Sequence, residues 1–342
     1  MVKNRSKTGV LILNLGTPDS PSVPDVRKYL REFLMDARVI DIPFLRRFFL
    51  INLIIAPFRA PQSARGYHEL WTMDGSPLKV HGEGVVKLVQ QALGQDYHVV
   101  LGMRYQNPSI RSALEQLKKR VVGRIIVFPL YPQYASASTG SSIAKFMEEI
   151  KTWEVVPTLK IISQFLEHPL FIKAFAEQGR KHMAKHKYDY FLFSYHGLPQ
   201  RQILKASRGD YCRLGDCCSV YHAHNQYCYR AQCFETTRLL VKELGIREGQ
   251  YKVCFQSRLG KTPWIKPYTD EVIRELVPQG IKNVLVFSPS FVADCLETTI
   301  EIGVEYKKRF MDSGGERWDL VESLNVSGAW IECLKHLVLE HA

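Results

Sequence analysis

Short runs of apolar residues alternate along this chain with stretches where apolar positions recur every three to four residues. That is the pattern of a strand buried on both faces followed by an amphipathic helix. Val10 to Leu15 is the first such run, and Val26, Tyr29, Leu30 and Phe33 follow at helical spacing. A loop-like insertion with an apolar region over 40–58 comes next. The pattern then predicts a helix over 78–93, a strand over 97–101, a helix over 109–119, a strand over 124–130 and a helix over 142–151. In the second half it predicts a helix over 169–185 and a strand over 188–195. A cysteine-rich excursion and a helix over 235–244 follow, and then strand, helix, strand and helix through Tyr306. Such alternation builds βα units on mainly parallel sheets, so the class is α/β.

Two segments repeat. Leu11 to Pro18 is echoed by Phe191 to Pro199, and Ile125 to Pro129 by Val284 to Pro289. The echo predicts two similar α/β lobes with a boundary near 156–163, taken as 1–158 and 159–342, each carrying one long insertion. Open α/β sheets gather ligands at the carboxyl ends of their strands, so the active-site cleft is expected between the lobes.

Composition narrows the picture. The 342 residues are 46% hydrophobic and 23% charged, a globular balance that excludes a disulfide miniprotein and a disordered chain. The 46 Lys and Arg against 34 Asp and Glu leave a net charge of +12, which favours anionic ligands or an anionic membrane surface. The excess is scattered, without the basic arm or stripe that nucleic acid requires. Lys3 and Arg5 ahead of Val10 to Leu15 imitate a secretory signal, but Asn14 and Gly16-Thr17-Pro18 make the segment a strand. The longest apolar segment, over 48–58, contains Asn52 and is about half the ~20 residues needed to span a bilayer. Eight cysteines in such a chain point to a reducing compartment, and a cytoplasmic location is expected.

Three groups of residues carry candidate chemistry. His196 ends a predicted strand at the Gly/Pro-punctuated turn Ser194 to Pro199, where either a catalytic histidine or a turn-capping one fits. Asp294, Glu297, Glu301 and Glu305 fall at i, i+3, i+7 and i+11, so on an α-helix their carboxylates share one face. That face is either solvated or a path for cations and protons. Five of the eight cysteines, Cys212, Cys217, Cys218, Cys228 and Cys233, crowd the insertion near 208–233. Thiols at this density fit an iron–sulfur cluster, a zinc ion helped by His222 or His224, or reduced, redox-active thiols.

The sequence resembles the ferrochelatase family over nearly its whole length. The resemblance lies in Leu13-Asn14-Leu15-Gly16-Thr17-Pro18, Gly75-Ser76-Pro77-Leu78, Gly102-Met103-Arg104-Tyr105, Leu130-Tyr131-Pro132-Gln133-Tyr134, Ser194 to Pro199, Phe255-Gln256-Ser257-Arg258, Pro263-Trp264 and Ala293 to Thr298, in family order. It implies two Rossmann-like, chelatase-like lobes and the insertion of Fe2+ into protoporphyrin IX, with two protons released and protoheme formed. Coproporphyrin III as substrate, or a porphyrin carrier without catalysis, are the rivals. The Tyr195 and Cys295 versions of the motifs look closer to the protoporphyrin branch. By the same resemblance His196 is the active-site histidine and Glu297 the acidic residue facing it, both in reach of the substrate metal. Arg59, Tyr67, Ser76, Arg104, Tyr105, Trp264, Phe291, Asp294 and Glu301 fall on the substrate-binding side.

The chemistry asks for such residues. Metal insertion releases pyrrole protons and needs a base near neutral pH. Carboxylates hold or relay a divalent cation, apolar walls such as Phe291 and Trp264 bend the macrocycle, and propionates need cations such as Arg59 and Arg104. The apolar region near 41–60 corresponds to the family's mobile lip, which implies peripheral contact with the inner face of the cytoplasmic membrane; a buried helix is the alternative. Mammalian-type members hold a [2Fe–2S] cluster on a C-terminal extension plus one distant cysteine. Here that distant position resembles Ser136, and the internal insertion looks like the placement in some bacterial members. The expected ligands are Cys212, Cys217, Cys218 and Cys228, with Cys233 as substitute, while Cys254, Cys295 and Cys333 are expected to be buried thiols.

Overall fold

Val10–Leu13, Ile125–Phe128 and Val284–Phe287 are each at most 1% exposed, because they lie inside parallel sheets covered on both faces. The computed structural model describes residues 7–260 and 262–342; Lys3 and Arg5 lie outside them. In chain order the first elements are β1 (Thr8–Gly16), α1 (Val23–Leu34), α2 (Phe44–Phe49), α3 (Ala56–Leu70), α4 (Pro77–Leu93), β2 (Tyr97–Tyr105), α5 (Ile110–Lys119), β3 (Arg124–Pro129), α6 (Ser141–Ile150) and β4 (Thr158–Ile161). Serines start two of the helices, Ser22 accepting from the Asp25 N–H and Ser109 from the Ser112 N–H. The later elements are α7 (Pro169–Met183), β5 (Tyr190–His196), α8 (Gln200–Ala206), α9 (Tyr229–Leu244), β6 (Tyr251–Gln256), α10 (Thr269–Leu276), β7 (Asn283–Phe287), α11 (Lys307–Asp312), β8 (Arg317–Leu320) and α12 (Gly328–Glu340).

Two compact units result. The first holds the chain up to Tyr131, Ser136–Gln164 and Trp330–Ala342; the second holds Pro132–Ala135 and Phe165–Ala329. The last residues, Trp330–Ala342, cluster with the first unit, although the sequence groups them with 159–342; α12 buries Trp330, Cys333, Leu334, Leu337 and Val338. The first sheet runs β2-β1-β3-β4 and the second β6-β5-β7-β8, all parallel. The two lobes therefore share one topology, as the sequence echoes imply. In each, the chain passes to opposite sides of the central strand, and the carboxyl end beside that reversal is where open α/β sheets place ligands. In the second unit that position belongs to His196.

Three expectations are corrected. The loop-like insertion is helical: α2, a π-helix over Leu50–Ile55 and α3 run on without a break. Ile51 and Ala56 pack with Leu34, whereas Leu45 is 67% and Phe58 77% exposed, so this is not a fully buried helix. Helix α9 starts at Tyr229, six residues before the expected start, which puts Cys233 inside it. The acidic run 296–306 forms a π-helix, whose i→i+5 bonds change which side chains align.

Candidate active site

His196 is the last residue of β5, and the peptide joining it to Gly197 is held by a hydrogen bond from the Gly197 N–H to Gln256 O at 2.8 Å. A side chain at Gly197 would bring its Cβ within 2.7 Å of that same Gln256 oxygen and 3.2 Å of the Trp264 ring, so only glycine fits the turn. The imidazole Nδ1 lies 2.7 Å from Gly197 O. A carbonyl only accepts, so Nδ1 carries the hydrogen and Nε2 carries the lone pair of the neutral ring. Phe291 stands beside the imidazole, ring centroids 6.4 Å apart. Trp264 is buried, its indole N–H donating to Leu259 O at 3.0 Å.

The π-helix Leu296–Tyr306 carries the carboxylates. Glu301 accepts from the Ser257 N–H at 2.9 Å, from Gln256 Nε2 at 3.2 Å, from the Ser257 hydroxyl, and from Tyr306 one π-turn along at 3.0 Å. Burial pushes its pKa up; the Ser257 hydrogen bond and the charge of His196 pull it down, while the charge of Glu297 pushes it up again. A half-buried carboxyl with four donors, and with a base and a second carboxylate acting on it, is suited to take up and pass on a proton. Gln256 ties the group together: it accepts from Ser194 at 2.7 Å and donates to Glu297 O at 3.2 Å. Glu305 is exposed and leaves the expected ladder. Asp294 is not on the helix at all, because the helix begins at Leu296 after Cys295 as its cap. Its carboxylate accepts from Asn325 Nδ2 at 2.7 Å and the Ser323 N–H at 3.1 Å, which makes it a loop clamp. His196, Phe291, Glu297, Glu301 and Trp264 are thus gathered at the strand ends of the second unit. Gln256 and Ser257, which the sequence shows only as part of the Phe255–Arg258 motif, and Tyr306 support them.

In the first unit Arg104 Nη2 meets Asp36 Oδ2 at 2.6 Å and Arg104 Nε donates to Ser141 at 2.6 Å, while Tyr105 donates to Asp36 at 2.9 Å. Arg104 is therefore neutralised by Asp36 and is not the free cation expected for a propionate. Burial would raise the Asp36 pKa, but Ser141, the Arg38 N–H, Arg104 and Tyr105 outweigh it and hold it below the ordinary value. A carboxyl depressed in the folded state adds stability above its unfolded pKa and loses it as pH falls through the folded one. Asp36→Ala is accordingly expected to cost about 3 kcal/mol at pH 7 by stranding Arg104. In thermal melts the gap to wild type should narrow on acidification; a gap constant down to strong acid would contradict the assignment. Ser76 is buried and accepts from Thr17 at 2.8 Å, Tyr67 packs edge-on against Tyr29 and Trp71, and Arg59 is exposed.

The cysteines divide into two classes. Cys212, Cys217, Cys218 and Cys228 line one cavity, with Cys217 Sγ and Cys228 Sγ each 3.9 Å from Cys218 Sγ. Cys228 caps α9; the Cys218 hydrogen bond and the N–H groups of Ala231 and Arg230 lower its pKa against burial. Cys233 does not reach the cavity: it is fully buried, and burial drives its pKa well up. Burial likewise raises Cys254 to about 11, Cys333 to about 12 and Cys295 well above the usual value. His222 has both ring nitrogens engaged, Nε2 with Tyr211 at 2.7 Å and Nδ1 with the His224 N–H at 3.3 Å. Among the described residues no three His, Cys, Asp or Glu side chains are set to hold one metal ion.

Residues 7–342 match the family described as Ferrochelatase. The chain is 47% identical over 334 residues to the ferrochelatase of Legionella pneumophila strain Lens, covering 98% of this chain and 99% of that one. It is 44% identical over 338 residues to the ferrochelatase of Coxiella burnetii strain Dugway 5J108-111, covering 97% and 93%. Among solved structures it resembles SirB from Bacillus subtilis with Fe3+, with a TM-score of 0.56 over 98% of this chain and 96% of that one. At 12% identity this is a likeness of fold.

Proposed function

The chain belongs to the ferrochelatase family, and from that premise we propose how its own residues insert the metal. The enzyme is a metal chelatase of heme biosynthesis that places Fe2+ in a porphyrin. Each insertion exchanges two pyrrole N–H protons for one divalent ion, so protons must leave as the metal arrives. His196 takes them at Nε2, the nitrogen left with a lone pair once Nδ1–H is bonded to Gly197 O. Glu297 balances the incoming charge, and Glu301 carries protons onward from its polar cradle. Phe291 and Trp264 supply rigid apolar walls. The observation that carries this reading is the tautomer lock on His196 beside a half-buried, polar-cradled Glu301. Among the first-unit candidates the exposed Arg59 is a cation left to meet a propionate. Protoporphyrin IX is the substrate favoured by Tyr195 and Cys295; turnover with it at least tenfold above that with coproporphyrin III supports this, and the reverse order overturns it.

The thiol cavity fits a [2Fe–2S] cluster held by Cys212, Cys217, Cys218 and Cys228. Two thiolates about 2.3 Å from one tetrahedral metal lie about 3.8 Å apart, close to the 3.9 Å of the Cys218 and Cys228 pair. Cys212 lines the same cavity, and burial and the neighbouring Cys217 thiol raise its pKa. Four thiols on one cavity suit two irons, and the engaged nitrogens of His222 weaken the zinc alternative. When bound, the cluster supplies a cross-link among four points of the insertion and a one-electron couple. Cys218→Ser is expected to yield a protein without visible cluster absorption, iron or sulfide. A wild-type protein that is colourless with one zinc per chain would contradict the cluster, and an intact cluster in Cys218→Ser would contradict this ligand set.

The helical lip presents Phe44, Leu45, Phe48, Phe49, Leu53, Ile54 and Phe58 to solvent, and no described helix is long and apolar enough to cross a membrane. Apolar side chains flanked by Arg46 and Arg59 suit an interface rich in anionic lipid. Replacing Leu53 and Ile54 with Ser should lower flotation with phosphatidylglycerol vesicles severalfold, with melting temperature nearly unchanged. A large loss of melting temperature with unchanged flotation would reject the membrane role.

A further inference from the structure

The insertion and the His196 turn meet at one hydroxyl. Cys228 caps α9, and the next residue, Tyr229, is buried with its hydroxyl donating to His196 O at 2.9 Å. We propose that Tyr229 is a positioning residue, through which the thiol-bound insertion fixes the His196–Gly197 peptide and with it the imidazole that accepts the pyrrole protons. The inference rests on the insertion activity and the cluster proposed above.

The peptide is held at both ends: its N–H donates to Gln256 O at 2.8 Å, and its C=O accepts from Tyr229. The acceptor of the imidazole Nδ1–H is the next carbonyl, Gly197 O. A rotation of the peptide plane therefore turns the ring. Without the Tyr229 hydroxyl, the Gln256 bond is the hydrogen bond left on that peptide among the described residues. Ser290 holds the preceding peptide, its hydroxyl accepting from the His196 N–H at 3.5 Å.

Tyr229 is also fixed from the other side. It follows a cluster ligand without an intervening residue, and the first turn of α9 is tied back to the insertion by Gln232, whose Nε2 donates to Gln226 O at 2.5 Å. Gln232 Oε1 accepts from the Tyr134 N–H at 2.6 Å, so the helix start has a second anchor that survives loss of the cluster. Cluster loss should therefore loosen the Tyr229 contact without unfolding the helix. Because both perturbations act on one hydrogen bond, their effects should overlap.

The test is a cycle of Tyr229→Phe, Cys218→Ser and the double variant, assayed with Zn2+ and protoporphyrin by fluorescence. Tyr229→Phe should lower kcat about tenfold, with KM for porphyrin within twofold. It should keep the visible cluster spectrum of wild type and a melting temperature within a few degrees, which separates positioning from misfolding. The double variant should be no slower than about twice the slower single variant. Wild-type kcat in Tyr229→Phe would overturn the proposal, as would a double variant whose loss equals the product of the two single losses. An inactive wild type would instead remove the activity on which the inference rests. An active but colourless wild type would remove the cluster, leaving Tyr229→Phe alone to decide the positioning role.

Discussion

His196→Ala is expected to lower metal insertion by about 10²–10⁴-fold, the range for loss of a positioned general base, while porphyrin affinity stays within about threefold. The substitution deletes the one nitrogen at the end of β5 that has a lone pair, yet leaves Phe291, Trp264 and the Gly197 turn in place. The two readouts are separable, since binding follows from porphyrin fluorescence and insertion from the spectrum of the metallated product. Retained turnover would assign the proton acceptor elsewhere and return His196 to a turn-capping role. A parallel collapse of binding and melting temperature would show that the ring is needed for the turn itself.

Glu297→Gln is the second large effect, expected to slow turnover at least about thirtyfold with porphyrin binding preserved. The amide keeps the size of the side chain but neither balances a divalent charge nor accepts a proton. The backbone contact from Gln256 goes to the Glu297 carbonyl and survives the change, so folding should be little affected. Steady-state rates over a range of metal concentrations measure the effect: a rise in metal KM points to a role in holding the ion, a fall in kcat to one in the chemical step. Unchanged kinetics would make the acidic face solvated surface.

The parts of this molecule that were legible in sequence are those where period and burial coincide. Runs such as Val10–Leu13 and Val284–Phe287 are apolar because they are buried on both faces, and the repeated segments foreshadowed two sheets with one strand order. Short, half-exposed strands, Thr158–Ile161 and Arg317–Leu320, give too little pattern to find. The acidic run misled because its spacing was judged by an α-helical period, whereas a π-helix brings Tyr306, not Glu305, onto Glu301. The start of α9 was placed late because its cap is a cysteine, which carries none of the usual N-cap signal. His196 was visible from the Gly/Pro turn after a strand. Its supports were not, since Gln256, Ser257 and Tyr229 act through hydrogen bonds to residues 33 to 62 positions away, and neither composition nor periodicity records such pairings. The lip was recognised as apolar, but apolar content alone did not reveal that its helix exposes that face.

Metal insertion with removal of both pyrrole protons through His196 has a direct signature in proton release. Purified protein is mixed anaerobically with Fe2+ and protoporphyrin in weakly buffered solution, and heme absorbance and proton release are followed together. Multiple turnovers with two protons released per heme formed are expected, and no such turnover in His196→Ala. Stoichiometric binding of porphyrin that stays unmetallated, with no proton release, would contradict it and identify a carrier.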